Sequence, residues 1–597
     1  MSTSIAPKIS KIVLANGLHI FVLPQEFSST FAGYYHFDVG SAHDPLGRSG
    51  IAHLLEHMMF KGTKRIGTTR ANEYSELVTR AGGHGMNATT SYDMTRYYVQ
   101  LPSHQLEMWF SLEAQRLKEP VFREFEPERE VVLEERRLRV ENQAEGVAYE
   151  RHRRLLYPDH PYGVPVIGWP EDIRALKRSD AQEYFHTWYS PSNCTMVLVG
   201  DLNPGQVETL ADKYLGAWET QDLPERPPRP VKSIDSVRRD KVEFDALGHL
   251  RMAWITVPEK HPDHDKLSLL SAVLGELNSS RLTRRLVHER EIAAAVISFA
   301  YGQHESGSFN IIARPTSKSS LSELESEILQ VVHELGENGV EQEELDRARI
   351  YLEANRTQRL YSKLSLAMDI GAEVALSEDP ARLDTYEERL AAITPEQVNE
   401  LARRWLAPEQ RCVAELERAA GAGAGNGQGL AAEAGESSEH RRQVEPSRRG
   451  AAHSEGFVEM LALIDSAPRA QFHVPAVGSD VRREEISAGP TLFLKEDHDL
   501  PGVRFNLHFK GGSNSAPLEI LSAYALAGAL WQEGGAGKLD PSALERAKED
   551  LGITMSMRPG PTGWQLSLWT LSRNLDPALK LLRAMLREPR LDSTRLG

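Results

Sequence analysis

The pattern of apolar and polar positions predicts a mixed α+β chain that opens with strands. Apolar runs at 12–14 and 18–23 flank the dipeptide Asn16-Gly17, which is typical of a tight hairpin turn, so these runs should form two paired strands. A third strand is predicted at 31–39. The chain therefore begins with elements that build a sheet.

A helix is predicted after these strands, from about residue 50 to residue 60, because this stretch is largely apolar and contains no proline. Ser49 is a suitable N-cap for this helix. Further helices are expected at 72–81, 106–117, 126–156 and 180–189, and further strands at 84–90, 95–101 and 194–200. Together these elements predict one mixed sheet with helices packed on one side.

The same order of strands and helices recurs along the chain, which predicts repeated domains. A first unit at 1–225 is joined to a second unit at 241–416 through the proline-rich segment 224–230, a stiff spacer. Residues 417–485 are rich in Ala, Gly, Glu and Ser and are expected to form a flexible low-complexity linker. The pattern of the first unit starts again at 486–597 and stops early, so we expect this third repeat to be incomplete.

Composition narrows the class of protein. A chain of 597 residues is too long for one hydrophobic core, and its formal net charge of −16 argues against a nucleic-acid partner. No segment reaches the roughly 18 unbroken apolar residues of a membrane helix, and residues 1–14 lack an apolar core of signal-peptide length. A cytoplasmic protein without a membrane partner is predicted, and a periplasmic one is the alternative if the start is misassigned. The two cysteines, Cys194 and Cys412, predict no disulfide framework.

Three side chains in the predicted 50–60 helix point to metal chemistry. His53 and His57 lie one helical turn apart, so both imidazoles can reach one tetrahedral ion, and Glu56 is close enough to hold a metal-bound water. The order His-x-x-Glu-His inverts the commoner zinc-protease motif. The pattern also arises by chance, and a helical histidine is more often a packed residue than a ligand. The acidic segment at 128–135 favours the metal interpretation.

Several motifs together resemble those of the pitrilysin, insulinase and mitochondrial processing peptidase family of zinc peptidases with the inverted motif. They are His53-Leu54-Leu55-Glu56-His57 with the following Met-x-Phe-Lys-Gly-Thr, then Asn87-Ala88-Thr89-Thr90-Ser91, then Glu128-Arg129-x-Val131-Val132-x-Glu134-Glu135. Weaker similarity at 193–202 and 278–282 extends the resemblance to about residue 415. We therefore expect repeated pitrilysin-like domains that form a clamshell.

This resemblance implies a zinc endopeptidase that hydrolyses peptides or unfolded proteins enclosed in the clamshell chamber. It implies that His53 and His57 bind Zn²⁺ and that Glu56 is the general base that activates the zinc-bound water. In the family the third ligand lies seven residues after the Glu of Glu-Arg, which here gives Glu135. Because seven residues are two helical turns, Glu128 shares a face with it and is a candidate to orient a ligand. Glu134 stays the alternative third ligand.

The strand at 84–90 is the segment expected to lie beside a bound peptide. A peptide can add to a sheet edge through backbone hydrogen bonds with little demand on its own sequence. Asn87, Ala88 and Thr89 are therefore the predicted substrate-binding residues. Ordinary strand and turn chemistry is the alternative explanation for these positions.

The second and third units are expected to be catalytically silent. In some members of the family, a catalytically silent domain carries an Arg and a Tyr that contact the substrate. Val287 and Ala294 occupy the corresponding positions here. A second half or a partner subunit is therefore expected to complete the chamber, and the sequence resembles part of a longer two-half enzyme. The alternative function is a non-catalytic, structural or substrate-presenting subunit of a processing-peptidase-like complex. A purely structural zinc site needs four protein ligands, and three are evident.

Overall fold

The computed structural model describes residues 4–25, 29–67, 72–377, 379–418, 453–468, 475–486, 489–498 and 500–592. Its strands are β1 (Ser10–Val13), β2 (His19–Pro24), β3 (Thr30–Phe37), β4 (His84–Thr90), β5 (Thr95–Pro102), β6 (Cys194–Gly200), β7 (Arg238–Phe244), β8 (His249–Thr256), β9 (Ala293–Gly302), β10 (Gly307–Pro315), β11 (Cys412–Arg418), β12 (Arg482–Glu485), β13 (Thr491–Leu494), β14 (Gly502–Lys510), β15 (Thr554–Pro559) and β16 (Gly563–Leu571).

Its helices are α1 (Ile51–Met58), α2 (Glu73–Arg80), α3 (Leu106–Lys118), α4 (Phe125–Arg136), α5 (Ala144–Leu156), α6 (Pro170–Ala175), α7 (Arg178–Trp188), α8 (Pro204–Leu215), α9 (Asp263–Ser271), α10 (Leu321–Asn338), α11 (Gln342–Leu360), α12 (Lys363–Ser377), α13 (Ala381–Asp384), α14 (Tyr386–Ala391), α15 (Pro395–Trp405), α16 (Glu455–Ser466), α17 (Leu521–Glu533), α18 (Pro541–Asp550) and α19 (Leu575–Arg587). Shorter π-helical segments follow α4 at Arg137–Glu141 and occur at Ala272–Glu276 and Thr283–Glu289.

The first sheet has six strands in the order β1-β2-β6-β3-β5-β4, so β4 lies at its edge. β2 pairs with β6 in parallel and the other neighbours are antiparallel, which confirms the predicted mixed sheet. One face of this sheet forms a large apolar core with α1, α3, α7 and α8, because alternate residues of each strand point to the same side. This packing fixes α1 against the sheet, beside β4.

The first two sheets exchange helices. α5, which the sequence predicted as the end of one helix at 126–156 on the first sheet, packs instead on β7, β8 and β11. That prediction is wrong because α4 ends in a π-helical segment and the exposed residues Asn142 and Gln143 separate it from α5. The apolar side of α5 then buries Ala144 and Ala148 in one cluster with residues of β7 and β11.

The other half of the exchange is α12, which the sequence did not predict. It covers the face of the first sheet opposite α1, where Leu366 and Ile370 share an apolar cluster with Tyr34 and Val197. Apart from α5, the helices of the first unit that pack on the first sheet share the core on one face, and α12 covers the other face. The two sheets are therefore tied together by packing as well as by the chain.

The second sheet has five strands in the order β7-β11-β8-β10-β9, with β7 and β11 parallel. α9, α10 and α15 pack on it around a separate core. Further along the chain, β14-β16-β15 form an antiparallel sheet in the same order as β3-β5-β4. This order confirms the predicted recurrence of the first unit's pattern, with α17, α18 and α19 packed on the sheet.

Part of the predicted linker is structured. Residues 419–452 lie outside the described residues, but α16 is a helix whose Phe457 and Met460 are buried in the core of the first sheet. Gly456 allows the close approach, since a Cβ there would lie 2.5 Å from the carbonyl oxygen of Arg65. The prediction of a flexible linker is therefore wrong for α16, because apolar residues at helical spacing dock it on α2 and α3. Among the described residues, no helix has the length and hydropathy needed to cross a bilayer.

Candidate metal centre

The helix that carries the predicted histidines is capped by a distant carboxylate. Asp44 accepts hydrogen bonds from the N–H of Gly50 at 2.7 Å and of Ala52 at 3.2 Å, so it satisfies donors at the start of α1. Burial raises the pKa of Asp44 well above its usual range, although these backbone hydrogen bonds oppose the shift. The prediction that Ser49 is the N-cap is wrong, because its hydroxyl donates to Asp172 at 2.6 Å.

The backbone conformation at Gly50 explains why the capping carboxylate comes from Asp44 and not from the N-cap residue itself. Gly50 is the N-cap residue with φ of +86°, and a Cβ there would lie 2.4 Å from the carbonyl oxygen of Ile167. The chain enters α1 through Gly50 in the left-handed conformation, which residues other than glycine disfavour. Every residue of α1 is buried, so the helix is held on all sides.

The structure brings three of the predicted residues together. His57 Nε2 lies 3.4 Å from Glu135 Oε2, and His53 Nε2 lies 3.9 Å from Glu135 Oε1. The two imidazole rings have centroids 4.8 Å apart. One donor atom from each residue lies within 4.8 Å of the others, and all three side chains are buried. Among the described residues, this is the one cluster of its kind.

These residues fit a zinc ion. Two imidazoles and one carboxylate are a common donor set of catalytic zinc sites, which keep a fourth position open. A tetrahedral ion with bonds of about 2.0 Å separates its ligand atoms by about 3.3 Å, close to the spacing between His57 and Glu135. The donor set and its spacing therefore match the metal that the sequence predicted.

The two candidate third ligands on α4 point in different directions. Glu135 faces α1, where Arg139 also approaches it with Nε 3.6 Å from Oε1. Glu134 is half exposed and pairs with Arg137 on the surface. The rotation of about 100° between neighbouring helical residues explains this difference.

Glu128 lies directly behind one of the histidines. Its Oε1 is 2.9 Å from His57 Nδ1, and its Oε2 is 2.5 Å from Lys61 Nζ. Burial raises the pKa of this carboxyl, but the hydrogen bond with His57 and the charge of Lys61 outweigh burial and lower the pKa to about 2. A carboxylate at Nδ1 favours the tautomer that carries its proton there, in which Nε2 is unprotonated and able to bind a metal.

Glu56 is buried between α1 and the first sheet. The Thr90 hydroxyl donates a hydrogen bond to Glu56 Oε2 at 2.7 Å. Thr90 is the last residue of β4, so this hydrogen bond joins the edge strand of the sheet to α1. Sequence reasoning singled out neither this bond nor the roles of Asp44 and Lys61, because each joins residues that no short motif relates.

The predicted substrate-binding residues lie on β4. Asn87, Ala88 and Thr89 are all buried, and Asn87 Nδ2 donates to the Tyr98 hydroxyl at 3.2 Å. They share the strand with Thr90 and lie at the edge of the sheet beside α1. The structure therefore places them next to the histidine cluster without testing their role.

In the units expected to be catalytically silent, the residues at the positions of interest have side chains that cannot bind a metal. Val287 lies in the π-helical segment Thr283–Glu289, and Ala294 lies exposed in β9. When the sequence of α17 is aligned on that of α1, Gly528 and Ala529 fall at the positions of Glu56 and His57.

Two family models match the chain. The model described as insulinase (peptidase family M16) covers residues 28–168, and the model described as the peptidase M16 inactive domain covers residues 175–352. The first match contains the His53, His57 and Glu135 cluster, and the second contains most of the five-stranded sheet.

Known relatives carry peptidase names. The chain is 32% identical over 400 residues to the zinc protease PqqE of Helicobacter pylori, which covers 64% of this chain and 87% of that protein. It is 26% identical over 416 residues to a probable mitochondrial-processing peptidase subunit beta of Schizosaccharomyces pombe, which covers 67% of this chain and 89% of that protein.

Solved structures extend the likeness to the fold. A protease from Helicobacter pylori matches with a TM-score of 0.65 and 29% identity over 69% of this chain and 99% of that chain. The periplasmic protease PqqL from Escherichia coli matches with a TM-score of 0.59 and 18% identity over 98% of this chain and 66% of that chain. The second likeness concerns the fold alone, and it extends over nearly the whole chain.

Proposed function

Because this chain belongs to the insulinase family of peptidases (M16), we propose that it is a zinc-dependent endopeptidase that cleaves peptides or unfolded proteins. The single observation that carries the proposal is the buried cluster of His53, His57 and Glu135, with Glu56 beside it on the same helix. Three protein donors leave room for a solvent ligand, which a structural zinc site does not require.

The proposed mechanism divides the work among residues of α1, α4 and β4. His53, His57 and Glu135 would hold the zinc ion, which would supply Lewis-acid polarisation of the scissile carbonyl and a lowered pKa of water. Glu56 accepts the proton of the attacking water and passes it to the leaving amine. Thr90 holds the Glu56 carboxylate in one orientation through its hydrogen bond.

We propose that the peptide binds along the edge of β4. Asn87 Oδ1 and Thr89 Oγ1 are buried and have no hydrogen-bond partner within the described part of the chain. An added strand would satisfy backbone groups at the edge with little sequence preference. The proposed units at 1–225 and 241–416 supply one half of the chamber, and a second half or partner subunit supplies the other.

A structural or substrate-presenting subunit is the second candidate. It is favoured by Val287 and Ala294, which cannot offer the charged and hydroxyl contacts that a silent copy can contribute. It is disfavoured by the presence of all four residues that the proposed mechanism needs.

Hydrolysis of an internally quenched peptide separates these candidates. We expect the purified chain to cleave the peptide, to stop in the presence of a chelator, and to recover when zinc is returned. Glu56→Gln should keep its zinc and lose at least about a hundredfold in rate, since general base catalysis contributes about 10²–10⁴. His57→Ala should lose both its zinc and its activity. Full activity in Glu56→Gln would refute the role given to this residue.

A further inference from the structure

The loop that joins β9 to β10 is inserted against the turn that joins β4 to β5. Gln303 and Ser306 of this loop are 3% and 2% exposed, although they lie at the tip of a hairpin. The N–H of His304 donates to Asp93 Oδ2 at 3.1 Å, which links the five-stranded sheet to the six-stranded one. The tip residues His304 and Glu305 are only partly exposed, which is unusual because such loops normally face solvent.

A single phenol joins both sides of this contact. The Tyr162 hydroxyl donates to both oxygens of Asp93, at 2.8 and 3.0 Å, and accepts a hydrogen bond from the Glu305 N–H at 3.1 Å. Tyr162 is fully buried. Since its donor and acceptor capacity are both used, the phenol fixes the distance between the hairpin and the β4–β5 turn.

A second branch starts at the Glu305 side chain. Its carboxylate pairs with His160 Nε2 at 2.8 Å and accepts from Arg229 Nε at 3.0 Å. The same arginine donates to the carbonyl oxygen of Ala42. The His160 Nδ1 accepts a hydrogen bond from the Tyr162 N–H at 3.1 Å, so the ring hydrogen is on Nε2, which donates a hydrogen bond to the Glu305 carboxylate.

Both branches end on segments that hold the metal centre. Asp93 lies three residues after Thr90, the donor to Glu56. Ala42 lies two residues before Asp44, the cap of α1. The two segments are also bonded to each other, because the Ala42 N–H donates to the carbonyl oxygen of Tyr92 at 2.8 Å.

We propose that the β9–β10 hairpin of the metal-free sheet positions the general base and the metal helix, and that Tyr162 and Glu305 are positioning residues for hydrolysis. This inference rests on the proposed function. It gives the metal-free sheet a role that does not depend on contact with the substrate. Neither residue touches the reacting atoms, so each acts through Asp93 or Ala42.

The arrangement makes small shifts costly. The Tyr162–Asp93 bonds are buried, and the backbone connects Asp93 to Thr90 and Ala42 to Asp44. Packed networks of this kind have few intermediate arrangements. A misplacement of about 1 Å at a catalytic group can cost about a hundredfold in rate. Loss of the phenol oxygen should therefore reach Glu56 without removing any residue of the site.

The test compares Tyr162→Phe with Tyr157→Phe in the full chain. Tyr157 donates its single hydroxyl hydrogen to the carbonyl oxygen of Gly307 at 3.0 Å, so its hydroxyl binds the same hairpin. We expect Tyr162→Phe to lower kcat about tenfold with KM changed less than about twofold, because positioning affects the transition state more than binding. Tyr157→Phe should keep the wild-type kcat at a similar loss of thermal stability.

Zinc affinity, measured by competition with a chromogenic chelator, gives a second readout that needs no activity. Tyr162→Phe should bind zinc several-fold more weakly than Tyr157→Phe, because the network also supports the cap of α1. Equal kcat and equal zinc affinity in the two variants would overturn the inference. If the wild type binds zinc and hydrolyses nothing, the proposed function fails, and the zinc comparison still decides the positioning role. If Tyr162→Phe does not fold, Glu305→Gln is measured in the same two assays with the same criteria.

Discussion

The Thr90 hydroxyl donates a hydrogen bond to Oε2 of Glu56 at 2.7 Å, and both residues are buried. This bond joins the edge strand of the first sheet to the metal helix. It uses one lone pair of the carboxylate. The strand expected to hold the peptide is thus also the strand that orients Glu56, the proposed general base.

Thr90→Val tests this orientation, because it keeps the shape of the side chain and removes its hydroxyl. A hydrogen bond to a charged group contributes about 1.5–3 kcal/mol, so we expect kcat to fall about tenfold or more with zinc content unchanged. Thr90→Ser restores the hydroxyl and should recover most of the rate. Wild-type kcat in the valine variant, measured on a quenched peptide, would contradict the role of the bond.

Glu128→Gln tests the support behind His57. The substitution removes the charge that faces His57 Nδ1 and Lys61. Mutating such a partner of a ligand histidine typically weakens metal binding about 10–100-fold, and we expect a loss in that range. Glu130→Gln on the exposed side of α4 is the matched control and should bind zinc as the wild type does. Competition with a chelator measures the zinc affinity of both variants. Equal affinities would contradict a role of Glu128 that acts through His57.

Glu305→Gln should change stability in a pH-dependent way. Burial raises the pKa of Glu305, but His160 and Arg229 outweigh it, and the net pKa is lowered. A lowered pKa stabilises the folded state above the ordinary glutamate pKa of about 4.3, and this stability is lost as the pH falls through the folded-state value. The wild type should therefore be more stable than Glu305→Gln at pH 7, and the difference should shrink toward pH 4. Urea unfolding at both values measures it; a difference that grows on acidification would contradict this assignment.

Phe457→Ala tests whether α16 belongs to the first core. Phe457 is fully buried and stacks on His453 with ring centroids 3.9 Å apart. Removing a buried phenylalanine costs about 3–5 kcal/mol, so we expect a loss near the lower end of that range for a helix docked at the surface. Val458→Ala changes a side chain that is 59% exposed and should alter stability by less than about 0.5 kcal/mol. Similar unfolding curves for the two variants would show that α16 does not contribute to the core.

Sequence periodicity predicted the elements whose pattern is local. The strand at 84–90 and the strand at 194–200 coincide with β4 and β6, because each is a short apolar or alternating run with turn residues at its ends. The His-x-x-Glu-His spacing placed two imidazoles on one face of α1 for the same reason. Choosing between Glu134 and Glu135 needed only the rotation per helical residue.

Features that depend on tertiary contact could not be predicted in this way. The exchange of α5 and α12 between sheets follows from which apolar face each helix meets, and the sequence does not state that. Asp44 caps α1 from six residues before the N-cap, so no capping motif marks it. α16 was hidden in a segment whose average composition is that of a linker, although Phe457 and Met460 anchor it in the core.

The zinc content of the purified chain and of two neighbouring variants tests the central claim most directly. We predict one zinc per chain in the wild type, loss of zinc in Glu135→Gln, and retention in Glu134→Gln, because only Glu135 faces the two imidazoles. Both substitutions remove one negative charge from adjacent positions of α4, so a general electrostatic effect cannot separate them. The absence of zinc from the intact wild type, or equal zinc in both variants, would contradict the account.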